Sequence, residues 1–272
     1  MQPTELDVMP FTKIPAEKIS TAIVRQIEEL ILQGVLRPGD RLPAERELAD
    51  RMEVSRPTLR DALAELENSG LVIARPGGGT FVADVLGSAF APPLIALFAS
   101  HDTALFDYIA FRRDVEGMAA AQAAVNATEA DLKIIQSVFD RFEAATAKRN
   151  QEEAGKIDAE FHMAVVEAAH NVVMTHMMRS LYGLLVNGVF YNRRIIYGLR
   201  EGRDRLLEQH RAIRDGVISR DPEAAREAVE AHMDFVSAAL HEADRVRSRE
   251  EISALRQRHE EARTVKPRSR KV

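Results

Sequence analysis

Leu42 to Phe81, LPAERELADRMEVSRPTLRDALAELENSGLVIARPGGGTF, is the stretch that decides the fold. Pro43 and Ala44 open a helix whose apolar positions Leu48, Ala49 and Met52 recur at helical spacing. Met52-Glu53-Val54 makes a turn. Ser55 caps a second helix, with Pro57 in its first turn, where a missing N–H costs nothing. Leu59, Leu63 and Leu66, in steps of four and three, form the stripe that this helix buries. Its N-terminal face carries Ser55, Arg56, Thr58 and Arg60, which are short donors and two guanidinium forks. Asn68-Ser69-Gly70 ends the helix. Leu71-Val72-Ile73 reads as a strand, Arg75 to Gly79 as a turn, and Thr80-Phe81-Val82 as the returning strand. The sum is a winged helix-turn-helix whose second helix is sized for the major groove of DNA.

Upstream of this stretch, Lys13 to Gln33 reads as a helix with an apolar stripe of Ile19, Ile23, Ile27, Leu30 and Ile31, ended by Gly34. Residues 1–12 read as disordered. Downstream, residues 83–102 read as a linker broken by Pro92-Pro93, with an apolar segment Leu94 to Phe98. From Thr103 onward the pattern is helical throughout, with six helices expected near 103–126, 128–149, 151–169, 171–198, 202–219 and from 222 past 250. Interruption of the fourth is expected near Gly183 or Gly188. Thr128 to Asp131 resembles a capping box with Asp in place of Glu, and Asp221-Pro222 is an N-cap followed by Pro at the first helical position. The expected fold is mostly α: a winged helix-turn-helix over 13–82, the linker, an all-α bundle over 103–248, and a charged helix with a basic tail over 249–272.

The chain has 272 residues, enough for two domains, and its 46% hydrophobic and 29% charged content is ordinary for a globular protein. It has no cysteine, which excludes disulfides and thiolate metal sites and fits a reducing cytoplasm. No apolar run approaches a membrane span, and MQPTELDVMP lacks a signal-peptide pattern. The net charge of −5 argues against broad non-specific affinity for nucleic acid. Specific contacts therefore have to carry recognition, and the placement of the arginines matters more than their number.

A second constellation lies in the helical region. Asp158 and His162 stand at i and i+4 in DAEFH and so project from one helix face. His210 and His232 lie midway along the fifth and sixth of these helices, each with apolar neighbours at helical spacing, which turns both inward. One carboxylate and three imidazoles converging from three helices suit a divalent metal ion. Taken singly, each histidine is also readable as a core or surface imidazole satisfied by its neighbours. His101, His170, His176, His241 and His259 are read in that way.

Residues 15–82 resemble the N-terminal domain of GntR-type bacterial transcription regulators, through RPGDRLPAERELA, VSRPTLRDAL and GGGTFV. The resemblance implies that Arg46, Arg56 and Arg60 contact DNA, with Ser55 and Thr58 in support. It places Arg75 and Gly77 of the wing at the minor groove or its phosphates. Residues 103–240 resemble the FCD effector domain of the FadR subgroup, through FRRDVEGMAAAQAA, DAEFHMAVVEAAHN, EQHRAI and AAREAVEAHM. In metal-binding members one Asp and three His at these motif positions are the ligands, which implies Asp158, His162, His210 and His232 here. Zinc suits imidazole ligands, and nickel, manganese or iron also fit. An arginine at the position of Arg112 meets the effector's carboxylate in the family. The alternatives are a plain i, i+4 pair between Arg112 and Glu116, or Arg113 in the pocket role. His170 to Val173, Met178 to Leu181 and Asn187 to Arg193 bring the chain nearest to regulators of the pyruvate dehydrogenase complex and of lactate utilisation.

These resemblances imply a cytoplasmic homodimer on a short palindromic operator, with no membrane partner. It is expected to act as a repressor released by a small 2-oxo or 2-hydroxy carboxylate. Two rival readings stay open: the metal ion itself as the signal, and a metal-dependent hydrolase suggested by the dipeptide His101-Asp102.

Overall fold

The structure is a computed structural model and describes residues 18–85, 101–186 and 202–265. The chain divides into two compact units, residues 1–85 and 86–272. The basic tail from 266, the apolar segment Leu94 to Phe98 and the motif Asn187 to Arg193 lie outside the described residues.

In the first unit, α1 (Ile19–Leu32), α2 (Glu45–Arg51) and α3 (Arg56–Asn68) precede strands β1 (Val72–Arg75) and β2 (Gly79–Val82). Ser55 caps α3 by accepting from Thr58 N at 3.2 Å, and Pro57 takes the first turn, as its sequence requires. Leu59 and Leu66 are fully buried and Leu63 nearly so, against Ile23, Val24, Ile27 and Ile31 of α1. Two expectations about the apolar stripes need correction. Ile19 is 60% exposed, because α1 begins at that residue and the contact with α3 starts one turn later; Val24 takes a place in the core instead. Leu71 is half-buried ahead of β1, which runs on to Arg75. The strands pair antiparallel with Val72 opposite Val82 and Arg75 opposite Gly79. Gly77 and Gly79 both have positive φ, at 70° and 96°, which is why the tip of this hairpin is glycine-rich.

The second unit has only helices among its described residues: α4 (Asp102–Asn126), α5 (Glu129–Ala147), α6 (Gln151–Ala168), α7 (Val172–Val186), α8 (Gly202–Ile218) and α9 (Pro222–Val265). The capping box at Thr128 is complete. Its hydroxyl accepts from Asp131 N at 3.2 Å, and Asp131 Oδ2 accepts from Thr128 N at 2.8 Å. Asp221 Oδ1 accepts from the amides of Glu223 and Ala224 at the start of α9. α7 continues through Gly183, where a break was an option, and α9 runs without interruption to Val265.

Ala119, Ala120, Ala123 and Ala124 on α4 are fully buried, so small side chains line the inner faces of this helix and allow close approach of its neighbours. The core they complete is filled by Phe139, Phe142, Phe161, Ile213 and Met233 from four further helices. Approach is also close at the α8–α9 corner, where a Cβ added to Gly216 meets the Ala225 backbone at 2.7 Å. The substitution Gly216→Ala should therefore destabilise the unit by about 1–3 kcal/mol, although alanine is the better helix former. A thermal melt checks this, with a midpoint several degrees below wild type expected.

Candidate functional site

Asp158 and His162 come from α6, His210 from α8 and His232 from α9, and all four side chains are buried. The ring centroids of His162 and His210 are 5.1 Å apart, those of His162 and His232 5.2 Å, and those of His210 and His232 4.6 Å. Asp158 Oδ1 lies 3.0 Å from His210 Nε2, and Asp158 Oδ2 lies 3.8 Å from His162 Nε2. The apolar flanks of the other two histidines and the i, i+4 spacing in DAEFH thus bring the three imidazoles together inside the bundle, with Asp158 beside two of them.

The far side of each ring is also engaged. His162 Nδ1 sits 2.7 Å from Glu116 Oε2, His210 Nδ1 2.7 Å from the Leu206 carbonyl, and His232 Nδ1 3.1 Å from Gln209 Oε1. A carbonyl or carboxylate oxygen can only accept, so these three contacts favour the tautomer with the proton on Nδ1, which would leave the Nε2 lone pairs on the inner side of the cluster. Phe142 and Phe161 hold the His210 ring between them, at 4.6 and 5.2 Å. His162 Nε2 is buried and makes no hydrogen bond among the described residues, which is costly for a polar atom that has nothing to bind.

These features test whether a divalent ion fits. The three histidines can each offer one ring nitrogen, with the three atoms within 4.8 Å of one another. Ligands about 2.1 Å from a common ion lie roughly 3–4 Å apart, so a small inward movement closes the set. Burial pushes the His162 pKa down, further than Glu116 raises it, and the ring is neutral as a ligand must be. Donor chemistry, tautomers and the orphaned nitrogen all fit an N₃O site.

Next to this cluster stands Arg112 of α4. It is buried; its Nε donates to Glu116 Oε1 at 2.5 Å, and its Nη2 donates to Tyr182 Oη at 3.2 Å. The i, i+4 pair with Glu116 is therefore present, inside the bundle rather than on its surface. Burial opposes the arginine's charge, but Glu116 and then Tyr182 outweigh it and raise the pKa above the ordinary value. Arg113, the rival for the pocket role, is turned to the surface and bound to Asp234 and Glu230 at 2.9 and 3.1 Å. Glu116, Tyr182 and Gln209 were not foreseen as parts of the cluster. Glu116 is visible in the sequence only as a partner for Arg112, because its contact with His162 joins two helices and has no local spacing.

On the first unit, Arg46, Arg56, Arg60, Arg75 and Gly77 are exposed, and Thr58 is half-buried. Ser55 Oγ and Thr58 Oγ1 are 2.7 Å apart and hold the first turn of α3. Arg60 Nε lies 3.7 Å from Glu45 Oε2, and the Arg75 guanidinium lies over the Phe81 ring at 4.4 Å from its centroid. Both are loose, solvated contacts.

A winged helix-turn-helix joined to an all-helical body that encloses a polar cluster defines a DNA-binding transcription regulator. The chain belongs to the GntR family. The family of bacterial regulatory proteins of the gntR type matches residues 19–82, and the FCD domain matches residues 107–235, which together make the FadR-type arrangement. The chain is 34% identical over 236 residues to a putative L-lactate dehydrogenase operon regulatory protein of Escherichia coli, covering 85% of this chain and 90% of that one. It is 32% identical to the Glc operon transcriptional activator of the same species, over 82% and 89% of the two chains. It is 30% identical to the regulator LutR of Bacillus subtilis, over 78% and 96%. A Streptococcus agalactiae GntR structure shares the fold, with a TM-score of 0.50 at 22% identity over 81% of this chain and 100% of that one. The family and these relatives are regulators of transcription, and the hydrolase reading of His101-Asp102 is set aside. No described helix is long and apolar enough to cross a membrane.

The buried charges also set a pH dependence. Burial alone would raise the Glu116 carboxyl, but Arg112 and then His162 outweigh it and hold it at about 2, below the usual 4.5. A depressed carboxyl contributes stability that is fully present above pH 4.5 and lost as the pH falls toward about 2, on the order of 3 kcal/mol in all. Urea unfolding of the metal-free protein between about pH 6 and pH 3 should show the midpoint falling below 4.5. Glu116→Gln should be less stable at neutral pH and flatter through that window.

Proposed function

We propose that this regulator is a homodimeric repressor whose helical domain holds a divalent ion and releases DNA on binding a small 2-oxo or 2-hydroxy carboxylate. The observation that carries the reading is the burial of three imidazoles around one point, each with its Nδ1 against an acceptor oxygen, and with the Glu116 carboxylate joining one of them to a buried arginine. Asp158, His162, His210 and His232 would hold the ion, and zinc suits this donor set. A bound ion would supply a positive pole for one carboxylate oxygen.

The chain's own residues do the rest. Arg112, whose Nε–Nη2 edge is held by Glu116 and Tyr182, would offer the remaining Nη1 side of its guanidinium to the effector's carboxylate. Tyr182 and Tyr108 flank that group, with ring centroids 5.0 and 5.8 Å from the guanidinium carbon. The name of one relative, a putative L-lactate dehydrogenase operon regulatory protein, favours a short hydroxy or oxo acid. Arg46, Arg56 and Arg60 would read the operator, with Ser55 and Thr58 bracing the first turn of α3 and Arg75 and Gly77 on the wing. An effector shifts DNA affinity only if it binds one arrangement of the protein better than the other.

The test is operator binding by fluorescence anisotropy at fixed salt, with the protein loaded with zinc or stripped by chelator, with and without L-lactate, pyruvate or glycolate. One of these acids should weaken binding of the loaded protein at least about fivefold and leave the stripped protein unaffected. Arg56→Ala should weaken operator binding by about 1–3 kcal/mol without changing the effector's action. Insensitivity to every acid would refute the carboxylate reading, and a response to metal alone would make the ion the signal.

A further inference from the structure

We infer that Glu116 is a specificity-determining residue: held between Arg112 and His162, it cancels the arginine's charge and restricts the cluster to effectors with a single carboxylate. The inference deepens the proposed carboxylate reading and rests on it. Glu116 is 2% exposed, with one oxygen on Arg112 Nε at 2.5 Å and the other on His162 Nδ1 at 2.7 Å. A carboxylate fixed on both sides in this way is a permanent part of the cluster.

The charge inventory is short. Among the described residues, the buried acidic and basic side chains are Arg112, Glu116, Asp158 and the three histidines, and the hydroxyls of Tyr108 and Tyr182 beside them add no charge. The imidazoles are neutral as ligands, and Asp158 is ionised as one. With a divalent ion in place, the cluster keeps one net positive charge, because Glu116 offsets Arg112. A monocarboxylate neutralises that charge. A dicarboxylate leaves one negative charge uncompensated in a low-dielectric interior, next to the carboxylate of Glu116 itself, and like charges so placed repel strongly. Without Glu116 the same cluster carries two positive charges and has room, electrostatically, for a dianion. Arg112 would thus supply the grip and Glu116 the limit on how much negative charge may enter.

L-Lactate and tartronate are the probes, since tartronate is the same 2-hydroxy acid with a second carboxylate in place of the methyl group. Calorimetric titration of the full-length zinc-loaded protein gives both dissociation constants, and elemental analysis matches the metal content of each variant. Wild type should bind lactate at least about tenfold more tightly than tartronate. In Glu116→Gln, whose amide oxygen still offers an acceptor, that ratio should move toward tartronate by about tenfold or more. Glu116→Asp keeps the charge and should keep the wild-type preference. A loss of structure alone weakens both acids together and leaves the ratio where it was. The inference is overturned if wild type binds tartronate as tightly as lactate, or if Glu116→Gln leaves the ratio unchanged. Should that variant fail to fold, the wild-type ratio decides. Binding of neither acid to loaded wild type would instead sink the carboxylate reading, and this inference with it.

Discussion

Three oxygen atoms behind three imidazoles are the constraint on which the inner part of this protein depends. The Leu206 carbonyl, the Gln209 side chain and the Glu116 carboxylate each face an Nδ1 atom, an arrangement that favours protons on Nδ1 and lone pairs on the inner Nε2 atoms. Each oxygen has a different structural origin: a helix's own backbone, the residue next to a ligand in sequence, and a side chain on a separate helix. Orientation of the rings therefore comes from the helix packing itself, and the cluster is prepared before anything enters it. A core built for stability alone would be cheaper with apolar residues at these positions, since buried ions seldom outperform them.

The same packing links the polar cluster to Arg112. One carboxylate, Glu116, bonds both the arginine and His162, so anything that moves α4 relative to α6 is felt on both sides. The alanine run 119–124 keeps α4 close to its neighbours, and the Gly216–Ala225 contact closes the corner between α8 and α9, which carry His210 and His232. A helical body with so little slack at the points that position its polar groups suits two discrete arrangements better than gradual deformation. That is the property a regulator needs if a ligand in one domain is to change the affinity of another.

Much of this was legible from local sequence rules, because those rules concern short distances along the chain. The capping serine at 55, the box at Thr128 and Asp131, the Asp221 cap and the glycine hairpin are all set by neighbours within four residues. The convergence of Asp158, His162, His210 and His232 was legible through helix-face arithmetic plus family motifs. What escaped was what depends on contact between helices. Glu116 was visible only as an i, i+4 partner of Arg112, yet both are buried, and its second bond reaches across 46 positions to His162. Arg113 could not be separated from Arg112 by spacing; only the position of Asp234 and Glu230 on α9 shows which arginine faces outward. Ile19 satisfied the helical stripe but lies before the first contact of α1 with the core.

The central claim is that His162, His210 and His232 are preset to give their Nε2 lone pairs to one ion. Long-range 1H–15N NMR of the imidazoles in metal-free protein, followed through a zinc titration, measures it directly. The account predicts that all three rings are neutral and protonated on Nδ1, and that all three Nε2 signals shift together and saturate at one equivalent of zinc. A ring found protonated on Nε2, or three rings that ignore the metal, would contradict it.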